Sequence, residues 1–578
     1  MSLHRKKSLN DLMGNVATDE HTLKRTLGRG SLIALGIGAI IGAGLFVRTA
    51  AAAGEHAGAA VTLSFIVAAV GCAFAGLCYA EFASIIPIAG SAYTYAYATM
   101  GELVAWVIGW ALVLEYALGA ATVSIAWSEY LNKLLADFNV FGDHKGLAYE
   151  WCHSPFEFIK DTATGVETSG IINLPALFIL ALLTLLLIRG TQQSAIVNSV
   201  IVVLKVSIVI IFIALGWGFI DAANHTPLMI PADMHDVIQQ NGEPFSYKDF
   251  WNHGFGGVIA GAGVVFFAFI GFDAVSTAAQ EAKNPQKDMP FGILGSLAIC
   301  TVLYILFSYV LTGVAPFTDF ISSGKEASVS FAITKYMAEY TWLAKLITIA
   351  ILAGFSSVIL VMLMGQSRVF YTMSKDGLLP KAFSKLGKYQ TPYKSNRMLF
   401  LFVGFFAAFI PGDVAGDLTS IGTLFAFILV CAGVLILRKT DPQLKRPFKT
   451  PLVPFVPIAG ILVCTLMIVG LDIKTQIGSI SWMLIGLDIY MLYSLKNSKL
   501  HHKAANFSIK PLFNTGIVLS ILLAGLAVTH HLLLKRDALG NLLKADDDDT
   551  VLLSISLSIA AIHLILFGVK SMMKPAIK

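Results

Sequence analysis

The sequence predicts an all-α protein that crosses a membrane many times. Three observations carry that reading. Hydrophobic residues make up 56% of the 578-residue chain and charged residues only 13%, where soluble chains carry about 25%. Mean hydropathy is +0.74. Apolar stretches long enough to span a bilayer, roughly twenty residues each, recur along the whole length.

Fourteen spans are expected, near 31–53, 59–86, 102–130, 171–188, 195–220, 254–279, 291–314, 342–367, 397–410, 415–437, 452–471, 477–495, 512–533 and 551–569. The first follows a polar leader, residues 1–30, and is too long for a signal-peptide core. Loop charge orients the set. With residues 1–30 in the cytoplasm, cytoplasmic segments carry 28 of the 41 Lys and Arg and the opposite loops carry 10. Positive charge is retained on the cytoplasmic side, so both termini are expected there, in a cell (inner) membrane.

Composition also excludes functions. There is no GxxxxGK[ST] cassette, which argues against transport driven directly by ATP, and no HExxH or GxSxG, so an enzyme is not expected. The six cysteines have neither metal-site nor disulfide spacing. Trp151-Cys152-His153 lacks a second pair at ligand spacing. The net charge of +5 reflects loop lysines and arginines, with no implication of nucleic acid. The partners implied are a lipid bilayer and a small solute. No cofactor is implied beyond an ion gradient.

Residues 36–46 read GIGAIIGAGLF, four glycines in nine positions of the first span. Glycine is the poorest ordinary helix former, so the backbone here either unwinds or packs closely through Gly38 and Gly42 against another helix. Unwound backbone at membrane depth is tolerated where it lines a cavity, and its freed amides can hold a carboxylate. The sixth span, through residues 266–277 (FFAFIGFDAVST), carries Gly271 and Asp273 at mid-depth. The first and sixth spans each open a set of five, the placement that an inverted five-plus-five repeat gives its two broken helices. The domains expected are a cytoplasmic segment 1–30, repeats at 31–220 and 254–437, four further helices over 452–569, and a tail 570–578.

Lys205 lies about ten residues from either end of the fifth span, too deep to snorkel. Desolvation favours its neutral form, which fits proton exchange; a structural cation held by backbone carbonyls is the other reading. Glu115, at mid-depth in the third span, either lines the cavity or hydrogen-bonds a broken neighbour. Glu81 reads as a gate or packing contact, and Arg48 as a vestibule or snorkelling residue.

The chain resembles the cationic amino acid transporter family of the amino acid–polyamine–organocation superfamily. The resemblance rests on residues 36–46, on YAEFA at 79–83 with PIAGSAY at 87–93, and on residues 266–277. EAKNPQKDMP at 281–290 and GQSRVFYTMSKDGLLP at 365–380 complete it. It implies an inverted-repeat secondary transporter of L-amino acids, with helices 11–14 outside the core. The substrate carboxylate would sit on amides around Gly42, Ala43 and Gly44. Its amino group would meet carbonyls near Ile40, Ile41, Phe267, Ala268 and Ile270. Lys205 matches the lysine that fills the sodium site in proton-coupled relatives, and with Glu115 it is the expected coupling pair. Phe355 falls where the substrate side chain belongs, and its bulk disfavours an arginine head group. Proton-coupled import is expected, with facilitated exchange of cationic amino acids as the alternative.

Overall fold

A computed structural model describes residues 6–7, 27–42, 44–86, 91–142, 145–160, 167–189, 192–239, 244–279, 282–322, 328–389, 391–500, 510–534 and 547–572. Among these are fourteen helices of twelve residues or more. They are α1 (Arg29–Ile40), α2 (Val61–Ile85), α3 (Glu102–Asp137), α4 (Leu174–Arg189), α5 (Gln192–Gly216), α6 (Gly254–Val265) and α7 (Pro285–Val314). The rest are α8 (Thr341–Lys375), α9 (Tyr393–Phe409), α10 (Gly412–Thr440), α11 (Phe455–Val469), α12 (Ile473–Ile489), α13 (Lys510–Leu534) and α14 (Asp547–Met572). Eight helical stretches among the described residues are long and apolar enough to cross a membrane. The protein is a helical integral membrane protein.

Two helices break where the sequence crowds glycine. α1 ends at Ile40, and Ile41 leaves the helix with ψ 106°. The chain winds again from Gly44 to Arg48 as a wide π-turn and continues helically to Ala57. α6 tightens into a 3₁₀ turn over Phe266–Phe269, and Ile270 then leaves it with ψ 135°. Gly271 follows at φ +110°, a left-handed value that side chains disfavour, and helix returns at Ala274–Thr277. The breaks touch. A β-carbon on Gly44 would overlap the Ala268 backbone, and one on Gly271 would lie 2.9 Å from the Ala39 β-carbon.

Around the breaks, α7 packs along α1 and α2, and α6 along α2, while α8 packs along α3 and α5. α3 carries a π-turn at Leu114–Leu118, which turns Glu115 and Tyr116 toward the break after α6; such bulges recur at functional sites. The chain after α2 forms a short helix, Ser91–Thr99, all of it buried. Its Ser91 hydroxyl meets Ser276 at 3.0 Å. Pro87, Ile88, Ala89 and Gly90 lie outside the described residues.

The later helices attach through α12. The rings of Trp110 on α3 and Trp482 on α12 stack at 4.5 Å. Trp110 donates its indole N–H to the Trp482 carbonyl, and Trp482 returns the bond to Trp110. Trp106 donates to Gly486. α13 and α14 pack on α12 around a small core of their own, with Ile477, Leu484, Leu523 and Ala527.

Candidate functional site at two helix breaks

The end of α1 exposes carbonyls that its broken ladder no longer uses. Lys205 supplies donors to two of them. It is 1% exposed, its stem runs over Gly354 of α8, and Nζ donates to Gly38 O and Ile41 O, each at 2.8 Å. The next carbonyl, Ile40 O, lies 2.9 Å from the Tyr304 hydroxyl of α7, which is also 2.9 Å from Ala268 O at the other break. One hydroxyl proton therefore serves two carbonyls in turn.

Of the residues expected to hold an amino acid, the structure brings Ile40, Ile41, Gly42, Gly44, Phe267, Ala268 and Ile270 together at these breaks. Ala43 lies outside the described residues. Three carbonyls expected to meet an amine, those of Ile40, Ile41 and Ala268, face protein donors in this conformation. Gly42 O accepts from Leu45 N at 3.2 Å. Phe355 is fully buried, its ring 6.3 Å from Phe46 and 5.5 Å edge-on to Tyr130. Phe307 and Phe212 extend this apolar compartment.

Lys205 and Glu115 serve different breaks. Asp273, at the restart of the sixth span, accepts from the Tyr116 hydroxyl at 2.5 Å. Its carboxyl also faces that of Glu115, with Thr423 of α10 beside Glu115. Neither Glu115 oxygen has a hydrogen-bond partner among the described residues, so Glu115 lies beside the broken neighbour with its carboxyl unbonded.

Arg48 does not snorkel. It is buried against Gly416, pairs with Asp417 of α10, and holds its guanidinium 6.0 Å from the Phe267 ring. Glu81 is a clasp: it accepts from Arg438 at 2.9 and 2.8 Å, from Arg446 at 3.1 Å and from Thr450 N at 2.8 Å. In the loop between α3 and α4, burial pushes the Cys152 thiol up to about 11, and His153 lies 3.4 Å from Glu129 of α3. That pair pins the loop. Sequence reasoning missed Tyr304, Tyr116 and Asp417. A tyrosine at mid-membrane needs a partner for its hydroxyl, which was the available signal for the first two.

A family model described as amino acid permease matches residues 27–493. The chain belongs to the amino acid permease family. It is 42% identical over 501 residues to the branched-chain amino acid permease BcaP of Bacillus subtilis, covering 86% of this chain and 99% of that one. It is 39% identical to the methylthioribose transporter of the same organism, with the same coverage. A vacuolar cationic amino acid transporter 4 of Arabidopsis thaliana is 34% identical over 76% of this chain and 68% of its own. The relatives are permeases and transporters, so this chain is a membrane transporter and not an enzyme. Among the described helices, α13 and α14 fall beyond the matched region of this permease.

Proposed function

We propose that this protein is a proton-coupled importer of neutral L-amino acids, with substrate held between the two breaks. The observation that carries the reading is Lys205, a buried ammonium donating to Gly38 and Ile41 at the end of α1. A proton leaving Nζ would loosen its grip on those carbonyls, linking the charge of one side chain to the position of a half-helix. In this reading the substrate carboxylate takes amides around residues 42–44. The amine displaces Tyr304 from Ile40 or Ala268, and the side chain enters the Phe355 compartment. Glu115, whose buried carboxyl faces that of Asp273, is the second proton-holding group.

Two relatives named for branched-chain amino acids, from Bacillus subtilis and Lactococcus lactis, support a neutral substrate, as does an apolar compartment that costs a cationic side chain its hydration. The reading includes fourteen crossings, a five-plus-five inverted repeat, and both termini in the cytoplasm. Uptake of labelled leucine into proteoliposomes, with an imposed pH step and no sodium, tests it. Accumulation that follows the proton gradient is expected. Equal counterflow with no response to pH would give the exchanger reading instead.

A further inference from the structure

α4 and α9 pack antiparallel, far along the chain from the breaks. At one end Asn173 N donates to Ala408 O at 3.2 Å, and at the other the Thr391 hydroxyl donates to Ile188 O at 3.0 Å. Each helix carries an exposed apolar stripe: Phe178, Leu182 and Leu185 on α4, and Met398, Leu401 and Phe405 on α9. Spacings of three and four keep each stripe on one helix face. Each stripe runs into a cation at the Thr391 end. Arg189 follows Leu185 by four residues, and Lys394 and Arg397 precede Met398 and Leu401 by four. The chain folds back over this end. Gly387 N donates to Thr391 O at 2.8 Å, and a β-carbon on Gly387 would lie 3.1 Å from the Tyr393 ring. The Arg397 guanidinium lies 5.7 Å from that same ring, and exposed Lys388 follows Gly387. Residues 377–412 hold five Lys and Arg and no Asp or Glu. Elsewhere cations are engaged by acids: Arg438 and Arg446 by Glu81, Lys7 by Asp376, Arg29 by Asp288. Among the described residues no acid pairs with Arg189, Lys388, Lys394 or Arg397.

We propose that this basic turn and the two stripes form one binding site for an anionic glycerophospholipid. The phosphate lies among Arg189, Lys394 and Arg397, and the acyl chains run along α4 and α9. Exposed apolar faces of a membrane protein are where lipid chains lie, and a cluster of cations just beyond a spanning helix attracts acidic head groups. The order of residues favours one molecule that is anionic at one end and apolar along its length. A soluble anion would use the cations alone. An acidic protein segment would leave the stripes unused. A zwitterionic lipid would fill the stripes but bring no net charge to the cations. The inference does not depend on which solute the permease carries.

The test is native mass spectrometry of the detergent-purified full-length protein. It is titrated with an equimolar mixture of phosphatidylglycerol and phosphatidylcholine of matched chains. The native protein retains phosphatidylglycerol in preference. Arg189→Gln and Arg397→Gln each lower that preference about fivefold, the share of one cation at a charged lipid surface, and the double variant lowers it further. A control pair, Lys439→Gln with Lys449→Gln, removes the same charge from exposed positions near the α10–α11 connection and leaves the preference as it was. Equal retention of the two lipids by the native protein overturns the proposal, and that measurement needs no variant to fold. A preference that survives the double variant, or that falls as far in the control pair, overturns it by placing the lipid elsewhere or making the effect one of net charge. Glycerophosphoglycerol, the head group without chains, or a polyglutamate peptide displacing the lipid at equal concentration also overturns it, giving the cations to a soluble anion or an acidic protein.

Discussion

The break after α1 and the break after α6 lie against each other, yet they are stabilised from different sources. The first borrows donors from distant helices: Lys205 of α5 reaches Gly38 and Ile41, and Tyr304 of α7 reaches Ile40. The second brings its own polar group. Asp273 stands at the restart of the helix and Gly271 supplies the reversed backbone, and the Tyr304 hydroxyl that this break shares with the first, with the Tyr116 and Glu115 side chains, comes from outside. A break held by borrowed groups responds when a distant side chain changes charge or moves. A break held largely by its own residues keeps its shape. This difference makes α1 the element on which the proposed proton coupling would act.

The strongest challenge to that comparison is to wedge the breaks apart. Gly44→Val puts a branched side chain into the Ala268 backbone, so binding of leucine falls below detection while the protein still purifies as a monodisperse species. Wild-type affinity in that variant would show that the contact is incidental. Next in size is Lys205→Ala, which leaves two α1 carbonyls without donors. Accumulation driven by a pH gradient is lost, while binding by equilibrium dialysis persists. Lys205→Arg fails equally, because arginine does not release its proton; if either variant still concentrates leucine when pH is stepped, the lysine is purely structural.

Smaller effects sharpen the comparison. Phe355→Ser opens the compartment without touching either break. The competition ratio of arginine to leucine should rise by about tenfold, a typical cost of a few atoms in an apolar pocket. An unchanged ratio would move the side-chain site elsewhere. Tyr304→Phe removes the hydroxyl that both breaks share. A single hydrogen bond contributes about 1 kcal/mol, or roughly fivefold in KM, and kcat should change less than KM. A change confined to kcat would assign the hydroxyl to helix motion instead.

The breaks themselves were legible in the sequence because they are local: clustered glycines and a mid-span aspartate weaken a helix wherever it packs. Lys205 and Glu115 were legible as charges too deep to reach water. Their partners were not. Glu115 meets Asp273 across more than 150 residues of chain, and Tyr304 finds Ile40 across 264. No spacing rule encodes contacts that exist only once helices pack. Arg48 shows the limit most directly. Four residues beyond Gly44 it fitted both a vestibule and a lipid interface, and only Asp417, far along the chain, decides between them. The count of crossings depends on segments such as α1 and α4, with 12 and 16 residues, too short for helix length alone to settle.

The paired indoles between α3 and α12 have a mechanical consequence. Each ring is both donor to, and stacked against, the opposite helix, so sliding one helix past the other would break two hydrogen bonds and an aromatic stack together. α3 and α12 therefore behave as a single beam. Whatever rocking the two breaks undergo, the late helices that hang from α12 stay with the wall that carries Glu115.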